Sequence, residues 1–355
     1  MSPSSVLDLP QLYTKPSARA LLDTLALLTS APPSWDYKAG PDTKDGTSVV
    51  ALREGEPSAA QIDPEGVARY LTSIVSNNLK WIQDEEVREE IWNQASLRLS
   101  ERSGRTAMGD LNRRFTIPSR DGSFELKIHE PALTGDDLGL KTWAASYLLA
   151  KRLHLFDLIR PEQGAKAKVL ELGSGTGLVG LAMAGLGADV VLTDLPSIYT
   201  NLARNAKTNA PIVEENRGTI RTGVLDWTSP HSCTLFPADV GDTNSDGETL
   251  SEKFPLVLAA DSLYSPDHPE MLVNTIAAWL SEDMDSRVIV EFPYRAAYLP
   301  EIAEFRKQMT MIGLQILDEG EEKGFDDWGD ASKGEDALVT CWWSCWGRKL
   351  PEQDS

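Results

Sequence analysis

Along the first hundred positions, apolar residues recur at spacings of three and four, the period of a helix with one buried face. Leu21, Leu22, Leu25, Leu27 and Leu28 predict a helix over Ser17–Ser30. Val67–Asn77 repeats the pattern, and a third helix is predicted from about Asp84 to Arg102, anchored by Trp92, Leu97 and Leu99. The stretch from Ala31 to Pro64 is rich in Pro, Gly and Asp and has the composition of a loop. From Arg113 to Glu130 the period shifts to two, and the Asp121-Gly122 step predicts a hairpin turn between two strands. A further helical stretch is predicted from about Leu140 to Leu158, led in by Thr134–Asp137.

Beyond Lys166 short apolar runs alternate with helical patterns. Strands are predicted at Ala167–Leu172, Asp189–Thr193, Thr219–Leu225, Leu256–Ala260, Arg287–Glu291, Leu314–Leu317 and Ala337–Trp346. Such alternation predicts an α/β fold, a doubly wound seven-stranded sheet with helices on both faces. The polar segment Ser229–Lys253 reads as a surface insertion before the fourth of these strands. Two domains are expected. Residues 1–112 form a mainly helical region suited to packing or partner docking. Residues 113–355 hold the chemistry, with a hairpin and helix lead-in at 113–160 and a ligand-binding core at 161–347.

Composition narrows the partners. The formal net charge is −20, and no basic stripe of the kind that meets phosphates is found, so no direct nucleic-acid contact is expected. An acidic body favours basic partners such as lysine-rich proteins, although solubility alone also accounts for acidity. No apolar run reaches the roughly 20 residues that cross a bilayer, and no secretory signal pattern opens the chain. Cys233, Cys341 and Cys345 have neither paired nor zinc spacing. No metal and no membrane are therefore expected, and a reducing, cytoplasmic location is.

The strongest chemical signal is Val169-Leu170-Glu171-Leu172-Gly173-Ser174-Gly175-Thr176-Gly177, an apolar strand running into a glycine loop that opens a helix. Gly173, Gly175 and Gly177 permit a sharp turn and bring a ligand against free backbone amides. Glu171, at the strand end, is placed to accept a hydrogen bond or face a cation. Asp194 ends the next strand, where an acid can grip both hydroxyls of a ribose. NAD and S-adenosylmethionine both carry that ribose. The loop and Asp194 thus leave three readings open: a methyltransferase, an NAD-dependent oxidoreductase, or a non-catalytic binding protein on the same scaffold.

Taken together, the segment from about Gly139 to Trp346 resembles the seven-β-strand methyltransferases, and within them the family 16 protein-lysine methyltransferases. The resemblance rests on the Glu-x-Gly-x-Gly-x-Gly loop and on Leu192-Thr193-Asp194. It rests further on Asn201, Asn205 and Asn209 in the following helix, and on Gly139-Leu140-Lys141-Thr142-Trp143. It implies S-adenosylmethionine as cofactor, held by Glu171, Gly173, Gly175, Gly177, Asp194 and Asp226 and flanked by Trp143 and Trp227. It also implies that Asp261-x-x-Tyr264 belongs to the acceptor site. Lysine is protonated at neutral pH, and freeing its amine costs about 4–5 kcal/mol from the reference pKa. A carboxylate at Asp261 can draw in and orient the ammonium while Tyr264 shapes the approach. A helix cap and a core aromatic are the plainer roles for these two residues, and a buried tryptophan needs no ligand. Glu291–Arg295 ends the fifth of the seven predicted strands and borders the expected acceptor side, whereas His268 reads as a loop residue. The longer N-terminal extension is similar to fungal enzymes that methylate a translation elongation factor, which would make elongation factor 2 the protein substrate.

Overall fold

The helices and strands expected from the periodicity recur in the computed structural model, which describes residues 6–28, 66–100, 110–132, 138–156, 166–237, 246–325 and 338–349. The loop at 31–64 and the Thr134–Asp137 lead-in lie outside the described residues. The chain divides into two compact units.

In the N-terminal unit, α1 (Ala18–Leu27), α2 (Val67–Val75) and α3 (Glu85–Ser100) share one apolar core. Ser17 starts α1 by accepting the Ala20 N–H at 3.2 Å, satisfying one of the free donors of a helix start. The buried face of α3 is Ile91 and Ala95, one turn apart, while Trp92 and Leu99 pack partly against the core. Polar tips inside the unit are bonded: Tyr70 donates to Pro10 O, Trp81 to Pro16 O and Trp92 to Asn77 O, each at 2.9 Å.

The larger unit begins with a hairpin of β1 (Leu111–Ser119) and β2 (Gly122–Glu130). Its turn is Arg120-Asp121, one residue earlier than the sequence suggests, and neither residue has positive φ. After α4 (Ala144–Arg152) come β3 (Lys168–Leu172), α5 (Leu178–Gly185), β4 (Asp189–Asp194), α6 (Pro196–Glu215) and β5 (Thr219–Leu225). There follow β6 (Cys233–Phe236), β7 (Glu248–Thr249), β8 (Leu256–Ala260), α7 (His268–Trp279) and β9 (Arg287–Pro293). The unit ends with α8 (Leu299–Met311), β10 (Leu314–Phe325) and β11 (Leu338–Arg348).

The sheet has nine strands in the order β10-β11-β9-β8-β3-β4-β5-β6-β7. The seven expected strands are all present, and two more arise from the segment read as a surface insertion. There β6 pairs antiparallel with β5, and β7 with β6. The insertion joins the sheet because Cys233, Leu235 and Leu250 are buried within it; too few apolar positions mark it in a polar background. β3, β4, β5, β8 and β9 run parallel, and β11 enters antiparallel beside β9.

Both faces are covered, which is why the central strands are apolar throughout. Val169, Leu258 and Ile289 belong to one core with α4, α5 and α6, and Leu170, Val257 and Val288 to the other with α7 and α8. Trp342 and Trp346 pack around Phe292 and Phe305 in the second core, as the final run of tryptophans and cysteines predicts. Chain order reverses between β3 and β8, and ligands of open α/β sheets bind beyond the strand ends at such a point.

Candidate active site

The loops that follow β3 and β8 meet at that reversal. Gly173, Gly175 and Gly177 all have positive φ, +64°, +56° and +87°, a region that strains residues bearing a Cβ. Space is short as well. A Cβ on Gly173 would lie 3.0 Å from the Trp227 ring and 3.5 Å from Ser262 Oγ, and one on Gly175 would lie 3.0 Å from Gly139 O. The loop is thus bare backbone walled by Trp227, the 139–142 segment and the loop after β8.

Reciprocal bonds fix the loop to β4. Ser174 N donates to Thr193 O at 2.9 Å and Thr193 N to Ser174 Oγ at 3.0 Å. Thr193 Oγ1 donates to Glu171 O at 2.6 Å. Asp194 accepts from Gly175 N and Leu195 N, each at 2.7 Å, and its two oxygens retain lone pairs for a ligand. Burial raises its pKa to about 6, although both amides oppose the rise. Glu171 is buried and accepts from Gly180 N at 3.0 Å, tying the strand end to the first turn of α5. Burial pushes its carboxyl up to about 8, against the bonds to Ser174 and Gly180, and Asp194 adds to the rise.

Asn201, Asn205 and Asn209 recur every fourth residue on the inner face of α6 and imitate a strand edge toward β2. Asn205 accepts from His129 N at 2.8 Å and donates to His129 O at 3.1 Å. Asn209 exchanges the same pair of bonds with Lys127, both at 2.8 Å. Asn205 also donates to Thr176 O at 3.0 Å, so this ladder holds the glycine loop from behind.

On the acceptor side, Asp261 follows β8 with φ +51°, and its N–H donates to Glu291 O at 2.9 Å. Tyr264 is 46% exposed. Burial, then the negative charges of Asp194 and Asp261, raise its pKa, so the phenol stays neutral at working pH. His268, read from sequence as a loop residue, instead opens α7 with its ring edge-on between two aromatics, 4.3 Å from Tyr264 and 6.0 Å from Trp227. Its Nδ1 lies 2.9 Å from Ser262 O, and burial lowers its pKa. This wedge depends on contacts across the sheet edge, for which the sequence carries no signal.

Two of the residues named from sequence sit further round the edge. Asp226 Oδ1 accepts from Thr228 N and Oγ1 at 2.8 Å. Trp143 starts α4, donates from Nε1 to Leu138 O at 3.2 Å, and lies 5.2 Å from the Arg295 guanidinium that follows β9. Its neighbour Thr142 reaches the glycine loop through a 2.9 Å bond to Thr176. A cavity of about 710 Å³ opens between β2 and α6, lined in part by His129, Thr200 and Arg204, and none of the residues named for cofactor or acceptor lines it.

A glycine loop after β3, an acid ending β4 and an acid after β8, set on this strand order, define a class I methyltransferase fold. A family model described as lysine methyltransferase matches residues 121–298, half of the chain, and the chain belongs to that family. Protein-lysine N-methyltransferase EFM2 of Saccharomyces cerevisiae is 34% identical over 76% of this chain and 64% of its own length. The chain therefore spans just under two thirds of that relative. Protein-lysine N-methyltransferase rrg1 of Schizosaccharomyces pombe is 29% identical over 96% of this chain and 97% of its own. EEF1A lysine methyltransferase 3 of Xenopus tropicalis is 32% identical over 31% of this chain and 40% of its own. The family is enzymatic and its cofactor is S-adenosylmethionine, which sets aside the oxidoreductase and scaffold readings. The residues present fit that cofactor: bare glycine backbone facing Trp227, and a carboxylate with spare lone pairs at Asp194. Among the described residues, no helix is long and apolar enough to cross a membrane.

Proposed function

We propose that this enzyme methylates a lysine side chain of a translation elongation factor in the cytoplasm, with elongation factor 2 as the first candidate. The observation that carries the site assignment is the junction at the sheet reversal, where Gly173 lies against Ser262 and Trp227 while Asp194 and Asp261 both act on Tyr264. Glu171, Gly173, Gly175, Gly177, Asp194 and Asp226 hold the cofactor, flanked by Trp143 and Trp227. Asp194 accepts the ribose hydroxyls beside its two amide bonds. Asp226, with Oδ1 taken by Thr228, offers its other oxygen to the adenine amino group.

The bound cofactor supplies a methyl group on a sulfonium, already a good leaving group, so the protein's task is positioning. Asp261 attracts the lysine ammonium and orients its nitrogen. Tyr264, braced by His268, narrows the approach to one line. An acidic protein meeting a lysine-rich partner agrees with the net charge of −20, and the name of the Xenopus relative supports an elongation factor as substrate. The helical region at 1–112 serves as a packing or partner-docking module, and residues 113–355 carry the chemistry.

The test is incubation with methyl-labelled S-adenosylmethionine and a cell extract, with labelled residues located by mass spectrometry. Lysine of one elongation factor is expected to carry label. Asp261→Ala should lose labelling yet bind cofactor, whereas Asp194→Ala should bind cofactor weakly. Label on other proteins alone would remove the elongation factor, and equal loss of cofactor binding in both variants would overturn the division of roles.

A further inference from the structure

Glu291 lies on the face of β9 that Ile289 turns to the core shared with α4, one step nearer the ligand edge of the sheet than Glu171. The register sets its height: Glu171 pairs with Leu258, Leu258 with Ile289, and Glu291 with Ala260, the residue before Asp261. It is 0% exposed, and among the described residues neither carboxyl oxygen has a hydrogen-bond partner. Leaving a carboxyl buried and unbonded costs free energy that an apolar residue would not. Packing alone does not account for a glutamate here.

Three charged groups among the described residues act on it. Glu322 approaches from β10, Arg152 from α4 and Asp261 from the loop after β8; β11 presents Trp343 at the paired position. Arg152 is engaged by Glu322 in an ion pair and stacks over Trp343 at 4.4 Å. Burial, then the Glu322 charge, raises the Glu291 pKa well above the usual carboxylate range; Arg152 opposes the rise and Asp261 adds to it. Burial without a hydrogen bond favours the neutral form of this carboxyl. A cation arriving beside Asp261 reverses the balance, because it favours the ionised form of any carboxyl within a few ångströms.

We propose that Glu291 is a second carboxyl of the acceptor site, held neutral until the lysine ammonium arrives and then ionising to share that cation with Asp261. This rests on Asp261 being the acceptor carboxylate. Glu291 gives its proton to solvent: one O–H bond breaks, no electron changes hands, and the ammonium gains a second anionic partner. In the empty enzyme, neutrality spares the site the repulsion of a second anion near Asp261. With an acceptor bound, the paired carboxylates hold the nitrogen more firmly than Asp261 alone.

Infrared difference spectroscopy of the full chain with S-adenosylhomocysteine reads this directly, with n-butylammonium as a probe for the lysine side chain. At neutral pH the wild-type enzyme should show the carbonyl stretch of a protonated carboxyl that Glu291→Gln lacks. That band should disappear as n-butylammonium saturates the complex. Persistence of the band at saturation, or no saturable binding of the probe, overturns the proposal. With the acceptor labelled in extract, Glu291→Gln should raise its KM at least about tenfold while cofactor affinity and thermal midpoint stay within error. An unchanged acceptor KM also overturns it. If wild type labels no protein at all, the reading of the activity fails, and the infrared result still decides Glu291.

Discussion

The indole of Trp227 lies against Gly173 so closely that a methyl group added to the glycine would sit 3.0 Å from Cζ2 and 3.2 Å from Cη2. One side of the cofactor loop is therefore defined by a contact only glycine allows. Gly173→Ala is expected to cost about 1–2 kcal/mol of stability from its left-handed backbone and to lower cofactor affinity about tenfold or more as the indole is displaced. Thermal melts and calorimetric titration with S-adenosylhomocysteine would measure both. Adding Trp227→Ala should make the stability loss of the pair smaller than the sum of the singles, because the clash is removed while the strain stays. Strict additivity would show that the ring does not bear on the glycine.

Asp194 makes cofactor binding dependent on pH in one direction. Its pKa is raised to about 6 by burial, and the ribose hydroxyls need an ionised acceptor. As pH falls through 6 the carboxylate protonates, and affinity should drop by up to about tenfold per pH unit. Above pH 7 the part owed to Asp194 should be flat, and a slope near pH 8 that Asp194→Asn keeps belongs to Glu171, whose pKa is raised to about 8. Titrations from pH 5 to 8 check this, and Asp194→Asn should bind weakly with no slope near pH 6. A wild-type curve that is flat to pH 5 would mean the carboxylate is not the ribose partner.

The asparagine ladder of α6 separates a stability role from a ligand role. Asn205→Ala strips His129 N and Thr176 O of a partner, and unbonded buried groups cost about 1–3 kcal/mol each. A loss of about 2–4 kcal/mol in denaturant unfolding is expected, together with weaker cofactor binding because Thr176 lies in the glycine loop. Asn209→Ala touches only Lys127 and its own helix. It should destabilise less and leave cofactor affinity unchanged. Equal effects on cofactor binding from the two would break the link between ladder and loop.

What the sequence conveys about this enzyme follows how local each signal is. The glycine loop, Asp194 and the strand before each are contiguous patterns, so their elements appear where expected, and β5 and β8 keep their expected limits. Strands β6 and β7 escape notice because four and two residues in a polar stretch acquire strand character only by pairing, β6 with β5 and β7 with β6. The three asparagines are legible as a helix-spaced set, but their partners on β2 lie 72 to 82 positions earlier. The wedge at His268 and the burial of Glu291 depend on the β8–β9 register and on which helix covers each face, and neither is a property of a local segment.

Asp261 combines strain with its expected chemistry. At φ +51° it is one of few residues with a Cβ in the left-handed region, where strain persists only if surrounding bonds enforce it. The Asp261 N–H to Glu291 O bond supplies that restraint and fixes the carboxylate relative to β9. Glycine adopts this conformation without penalty. Asp261→Gly should therefore be more stable than Asp261→Ala by up to about 1–2 kcal/mol, while neither turns over substrate and both keep wild-type affinity for S-adenosylhomocysteine. Asp261→Asn, which tolerates the same backbone, should retain the fold and lose turnover through charge alone. Thermal midpoints, cofactor titration and methyl transfer on the three variants separate the contributions. If Asp261→Gly proved no more stable than Asp261→Ala, the left-handed turn would carry no strain, and the placement of the carboxylate would have to come from its side-chain surroundings.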